Sequence, residues 1–145
     1  MSKKAILWNV SSVLVAISLS LTMAVSVAQE KHPIDNLEEA CLDKSNITVD
    51  MMNCHNQAYE MWDSELNQVY KSLMKKLDKP GKKVLRNAQR AWLKYRDAEM
   101  ETIDAVYGLL QGSMWIPIAL SKKADITKER ALTLKGYLNN LELGQ

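Results

Sequence analysis

The chain has 145 residues, a quarter of them charged, and a formal net charge of +2 that comes from Lys3 and Lys4. Beyond those two lysines the 17 remaining bases balance 17 acids, and the second half, where aromatics are interleaved with Lys/Arg, also carries eight acids, which argues against a nucleic-acid module. The length predicts one domain, and the absence of Phe and of any alternating Val/Ile/Thr run argues against a sheet.

The first segment reads as a leader. Lys3 and Lys4 precede an uncharged run from Ala5 to Gln29, which ends in "AVSVAQE" with small residues at Ser26 and Ala28. A basic start, an apolar middle and a small-residue exit predict a secretory signal over 1–28, cut after Ala28, leaving 29–145 as the folded domain. The run is also long enough to serve as an uncleaved membrane anchor, although Asn9 and five serines interrupt it. No cysteine follows the cut site, so the sequence offers no acceptor for a lipid anchor there. The expected location is periplasmic or secreted, with membrane attachment only if the signal is kept.

Pro33 opens a short helix expected over Ile34–Leu42, followed by a loop at Lys44–Ile47 and by Thr48 as a helix N-cap. Two cysteines flank this region, Cys41 and Cys54, and there are no others. In an exported protein an even pair predicts a disulfide. A metal site built on Cys54, His55 and His32 is the rival, but no C-x-x-C pair or repeated His spacing supports it, and no cofactor is expected.

From Val49 to Leu77 the residues Met52, His55, Tyr59, Trp62, Leu66, Val69, Leu73 and Leu77 recur at three- and four-residue steps, predicting one long amphipathic helix ended by "DKPG". A second long helix from Pro80 to about Gly108 carries Leu85, Ala88, Trp92, Tyr95, Thr102, Ile103 and Val106. "GLLQGSMWIPIALSKK" reads as a loop, and Thr127 as the cap of a last helix with Ala131, Leu134, Leu138 and Leu141 on its apolar side. Two long helices joined by a tight turn must be antiparallel. The fold class is therefore all-α, a small bundle built on one long helix hairpin with short flanking helices.

The hairpin carries a register. With the turn centred between Lys79 and Pro80, Asp63 lies level with Arg96, Asn67 with Trp92, and Tyr70 with Gln89. These are complementary pairs and predict a polar ladder between the helices. A buried Asp63–Arg96 pair would cost about 3–5 kcal/mol to break from one side. Charge is divided along the chain: Glu30–Tyr70 has nine acids and two bases, Lys71–Gln145 fifteen bases and eight acids. Such a chain neutralises itself on folding or shows an acidic face to a basic partner.

These motifs resemble a known family. Met51, Cys54, Tyr59, Trp62–Asp63, Leu66–Asn67, Tyr70 and Leu73 at their spacing, then "AQRAWLKYRDAE", then "GS" and "ITKERALTL", are similar to the LprI-like lysozyme inhibitors, over Cys41–Leu138. The resemblance implies an exported bacterial helical domain that binds a protein. Family members often carry two further cysteines, at places held here by Met100 and Lys122, and Gln111 replaces the first of a Gly-Gly pair. The joint loss of two cysteines fits one bridge dispensed with, leaving Cys41–Cys54 as a separate bridge that pins the first helix.

Catalysis has no constellation to rest on. Ser113 lies outside a G-x-S-x-G elbow, there are two histidines, and no H-E-x-x-H occurs. The expected function is binding: inhibition of lysozyme or another peptidoglycan hydrolase, whose cleft is flanked by two carboxylates. The candidate interface is Gly112, Ser113, Met114 and Trp115, with Ser113 bonding a catalytic carboxylate and Met114 and Trp115 supplying apolar area. Met114 and Trp115 are equally suited to closing the end of the bundle. An acidic face of Glu38, Glu39, Asp43 and Asp50 is a second candidate, steering a basic lysozyme. The alternative function is an immunity or envelope-assembly protein of the periplasm with a partner other than lysozyme.

Overall fold

The computed structural model describes residues 31–144, all helix and short connections. The expected signal segment, 1–28, lies outside the described residues. Helix α1 spans Pro33–Leu42, α2 Thr48–Lys76, α3 Lys79–Tyr107 and α4 Trp115–Leu143. The last three are each 29 residues long. Among the described residues no helix is long and apolar enough to cross a membrane.

Local chemistry sets the ends. His32 caps α1, its Nδ1 accepting from the Ile34 amide at 3.3 Å, with Pro33 inside the first turn, where a missing N–H costs nothing. Thr48 does not cap α2: the cap position is Ile47, and Thr48 is the first helical residue. The approach is instead ordered by Ser45, whose Oγ accepts from the Ile47 amide at 3.2 Å and donates to Asp50 at 2.6 Å. Between α2 and α3, Asp78 accepts from the Gly81 amide at 2.9 Å. A Cβ on Gly81 would lie 2.9 Å from that carboxylate oxygen and 3.3 Å from Leu77, so the tight turn needs glycine there.

The largest correction concerns α4. The stretch expected to be a loop up to Thr127 is helical from Trp115, and Thr127 is a fully buried residue inside the helix. Pro117 does not forbid this, because it sits in the first turn. The apolar pattern is faint because Ala119, Ala124 and Ala131 carry the buried face. Small residues let α4 lie close along α2, which offers the fully buried Ala58.

α2 and α4 form the main packed pair, α1 rests on α2, and α3 leans on α4. α2 and α4 run in the same direction, since Lys128 lies over the Trp62 ring near the middle and Lys76 meets Glu142 at the far end. α3 runs opposite to α4, linked by Gln89–Arg130 and Asp104–Lys123. The core is Trp62, Leu66, Val69 and Leu73 of α2 against Ala131, Leu134 and Leu138 of α4, with Leu85 of α3. Packing along α2 therefore goes mainly to α4, rather than across the turn to α3. In consequence only Leu85 and Ile103 of α3 are buried, while Ala88, Tyr95, Thr102 and Val106, expected on its inner face, are exposed.

Candidate functional site

α1 contributes no buried residue, so hydrophobic burial alone does not hold it. The Cys41–Cys54 disulfide, with Cα atoms 5.7 Å apart, ties its end to α2. Polar contacts complete the attachment: Glu38 to His55 Nδ1 at 2.7 Å, and Asp35 to Lys128 of α4 at 2.8 Å. The His32 ring lies 4.4 Å from the Trp62 ring. The three residues of the metal reading are engaged otherwise here: Cys54 in the disulfide, His55 against Glu38, and His32 at the cap of α1. The same contacts engage part of the acidic face: Glu39 pairs with Lys31 at 2.6 Å, Asp50 accepts from the Ser45 hydroxyl and keeps its charge, and Asp43 is exposed.

The six ladder residues line one open groove of about 280 Å³ between α2 and α3. Arg96 lies 3.9 Å from Asp63, at the level the register gives, but its closer partner is Asp97 of its own helix at 2.7 Å. The Asp63 side chain is 40% exposed and that of Arg96 19%, so this long contact belongs with surface pairs worth up to about 1 kcal/mol, not with buried ones. The expected Asn67–Trp92 and Tyr70–Gln89 bonds are not made. Asn67 donates back to the Asp63 carbonyl at 2.8 Å and carboxylate at 2.9 Å, while Gln89 accepts from Arg130 at 3.1 Å. Splaying of α3 from α2 leaves the short amides unable to reach across. Trp92 instead has two guanidinium groups near its ring, Arg96 at 5.5 Å and Arg130 at 5.9 Å from its centre. Arg130 was legible only as part of a motif; its place beside Gln89 depends on how α4 meets α3.

The α3–α4 connection forms the opposite end of α3. Gly112 has φ +102°, a left-handed conformation that side chains rarely adopt, and it turns the chain toward α4. Ser113 and Met114 are exposed. Trp115 is half-buried, its ring 6.2 Å from that of Tyr107, so it closes the end of the bundle rather than projecting from it. Leu109 and Leu110, with Ile116, extend the apolar surface around the turn, and Leu109 is 84% and Met114 59% exposed. The sequence already carried that signal, as apolar residues within a Gly/Ser-containing turn. The result is a firm apolar tip with one hydroxyl, backed by a Tyr–Trp pair.

Residues 41–134 match the family of the lysozyme inhibitor LprI. The chain belongs to that family. An uncharacterized protein of Rhizobium meliloti (strain 1021) is similar to the chain, 28% identical over 107 residues, or 65% of this chain and 76% of the relative. The crystal structure of an uncharacterized protein from Burkholderia thailandensis is also similar, with a TM-score of 0.73 and 26% identity over 79% of this chain. The present chain spans 58% of that protein's length.

Proposed function

We propose that this LprI-family protein is exported to the cell envelope and inhibits lysozyme-type peptidoglycan hydrolases through the α3–α4 turn. The single observation that supports the turn is its exposed apolar tip. Single exposed leucines are ordinary, but Leu109, Leu110, Met114 and Ile116 gather on one seven-residue connection and the turn beyond it. In this reading Leu109 and Met114 fill the upper part of the hydrolase cleft. Ser113 donates to one of the two carboxylates that flank the scissile bond. Gly112 sets the path of the turn and Trp115 stiffens it from behind. The acidic face, on α1 and the start of α2, is the weaker candidate, because Glu38 and Glu39 already face His55 and Lys31 within the protein.

The test is lysozyme activity on peptidoglycan titrated with the purified protein. Inhibition should saturate, and the double variant Leu109→Ser/Met114→Ser should weaken it by about tenfold or more while leaving the melting temperature unchanged. Lysozyme kinetics that do not move at saturating protein would end this reading. Inhibition that survives the double variant would move the interface away from the turn.

A further inference from the structure

The splay of α3 that opens the ladder groove also opens a second, larger one at the α2–α3 turn, far from the tip. It has a volume of about 620 Å³ and runs between the first half of α3 and the last half of α4. Its walls are apolar: Leu77, Val84, Leu85, Ala88, Leu134 and Leu141. At one end stands Arg130, at the other Leu141, about 16 Å apart along α4 at the rise of an α-helix.

Arg130 decides what would fill the groove. Its Nε donates to the Gln89 amide oxygen, a neutral acceptor, and its guanidinium faces the Trp92 ring. Among the described residues it makes no ion pair, and the other lysines and arginines without one, Lys82 apart, are exposed. Burial disfavours its charge and pushes its pKa below the ordinary arginine value, yet arginine stays cationic at any physiological pH. A half-buried cation without a counter-charge, at the end of an apolar trough, is complementary to an anion that brings its own hydrocarbon. The surrounding field agrees: residues 71–90 hold eight bases and one acid. That acid, Asp78, is engaged at the helix cap. A neutral peptide or a purely apolar segment would cover the walls and leave the guanidinium uncompensated.

We infer that the α3–α4 groove binds one single-chain anionic amphiphile of the fatty-acid type, its carboxylate on Arg130 and its acyl chain along Ala88, Leu85, Val84 and Leu141 toward the turn. This binding is independent of the hydrolase reading, because groove and tip lie at opposite ends of α3. The volume falls in the range of ordinary small-molecule sites.

The experiment is calorimetric titration of the purified protein with dodecanoate and, separately, with dodecyl maltoside, which has the same chain and a neutral head, both below their micelle thresholds. Dodecanoate should bind one to one and about tenfold or more tighter than the maltoside, since a charge-assisted contact is worth at least that factor. Arg130→Gln should remove that advantage and leave maltoside binding unchanged. Ala88→Trp, or Val84→Trp if the first variant loses helical content, should abolish both by filling the groove, without changing lysozyme inhibition. Absence of saturable dodecanoate binding, equal affinity for the two heads, or full affinity in Arg130→Gln overturns the assignment. Anionic vesicles that bind Ala88→Trp as well as the parent, and lose binding only when Lys82 and Lys83 are removed, would replace it with a membrane-surface contact.

Discussion

Thr127 is fully buried, and among the described residues its hydroxyl is the buried side-chain polar atom without a partner. It lies one residue before Lys128, which crosses the Trp62 ring and reaches Asp35 of α1. An unpaired hydroxyl in a dry interface carries a desolvation cost of about 1–3 kcal/mol, which an isosteric methyl does not. Thr127→Val should therefore hold or raise stability, by up to about 1 kcal/mol, as read from the urea midpoint at constant slope. A loss of more than that would mean that the hydroxyl is bonded in solution. At this scale a residue's type was plain from the sequence but its surroundings were not: Thr127 had every mark of a helix cap, and only the earlier start of α4 places it in the interior.

At the scale of the elements, α1 is the piece held least by burial: Ile34 packs half-buried against the core, and the disulfide and polar contacts supply the rest. It has ten residues and none is buried. The disulfide closes a loop of sequence separation 13, which removes about 3 kcal/mol of unfolded-state freedom in the chain-entropy account. The double variant Cys41→Ser/Cys54→Ser should therefore lose about 3 kcal/mol. Its α1 amides should exchange with solvent before those of α2 and α4, because half-buried Ile34, the His32–Trp62 contact and the Glu38–His55 and Asp35–Lys128 pairs leave α1 with far less buried contact than either long helix. A thermal midpoint that is the same with and without the bridge would contradict this. The long helices α2 and α3 were legible from their three-four spacing and from the Asp78–Gly81 turn. The extent of α4 was not, because Ala119, Ala124 and Ala131 give a weak hydropathy signal although they are what allows close approach to α2.

At the scale of the molecule, the three long helices are unequal partners. α2 and α4 share the core, while α3 buries Leu85 near one end and Ile103 near the other and leaves grooves between. The middle amides of α3, around Arg90–Lys94, should thus show lower protection in hydrogen exchange than those around Leu66–Val69 of α2 or Ala131–Leu134 of α4. Equal protection across the three helices would mean that α3 closes onto its neighbours in solution. The unequal packing also leaves both ends of α3 accessible, the apolar tip at one and the groove beside Arg130 at the other.

The sequence by itself determined that the domain is helical, where its two longest amphipathic segments lie, that its cysteines form one bridge, and which motif residues place it in the LprI family. It also set Asp63 and Arg96 at one level, because a tight turn between two regular helices fixes height by counting residues. Counting along a chain says nothing about lateral distance. Tertiary structure alone decided that α2 buries its stripe on α4, so α3 stands off, the amides of the ladder bond elsewhere, and Arg130 faces an apolar trough with no carboxylate to meet it. That choice follows shape: buried alanines on α4 and α2 allow close helix contact, whereas the middle of α3 presents the bulkier Trp92 and Arg96.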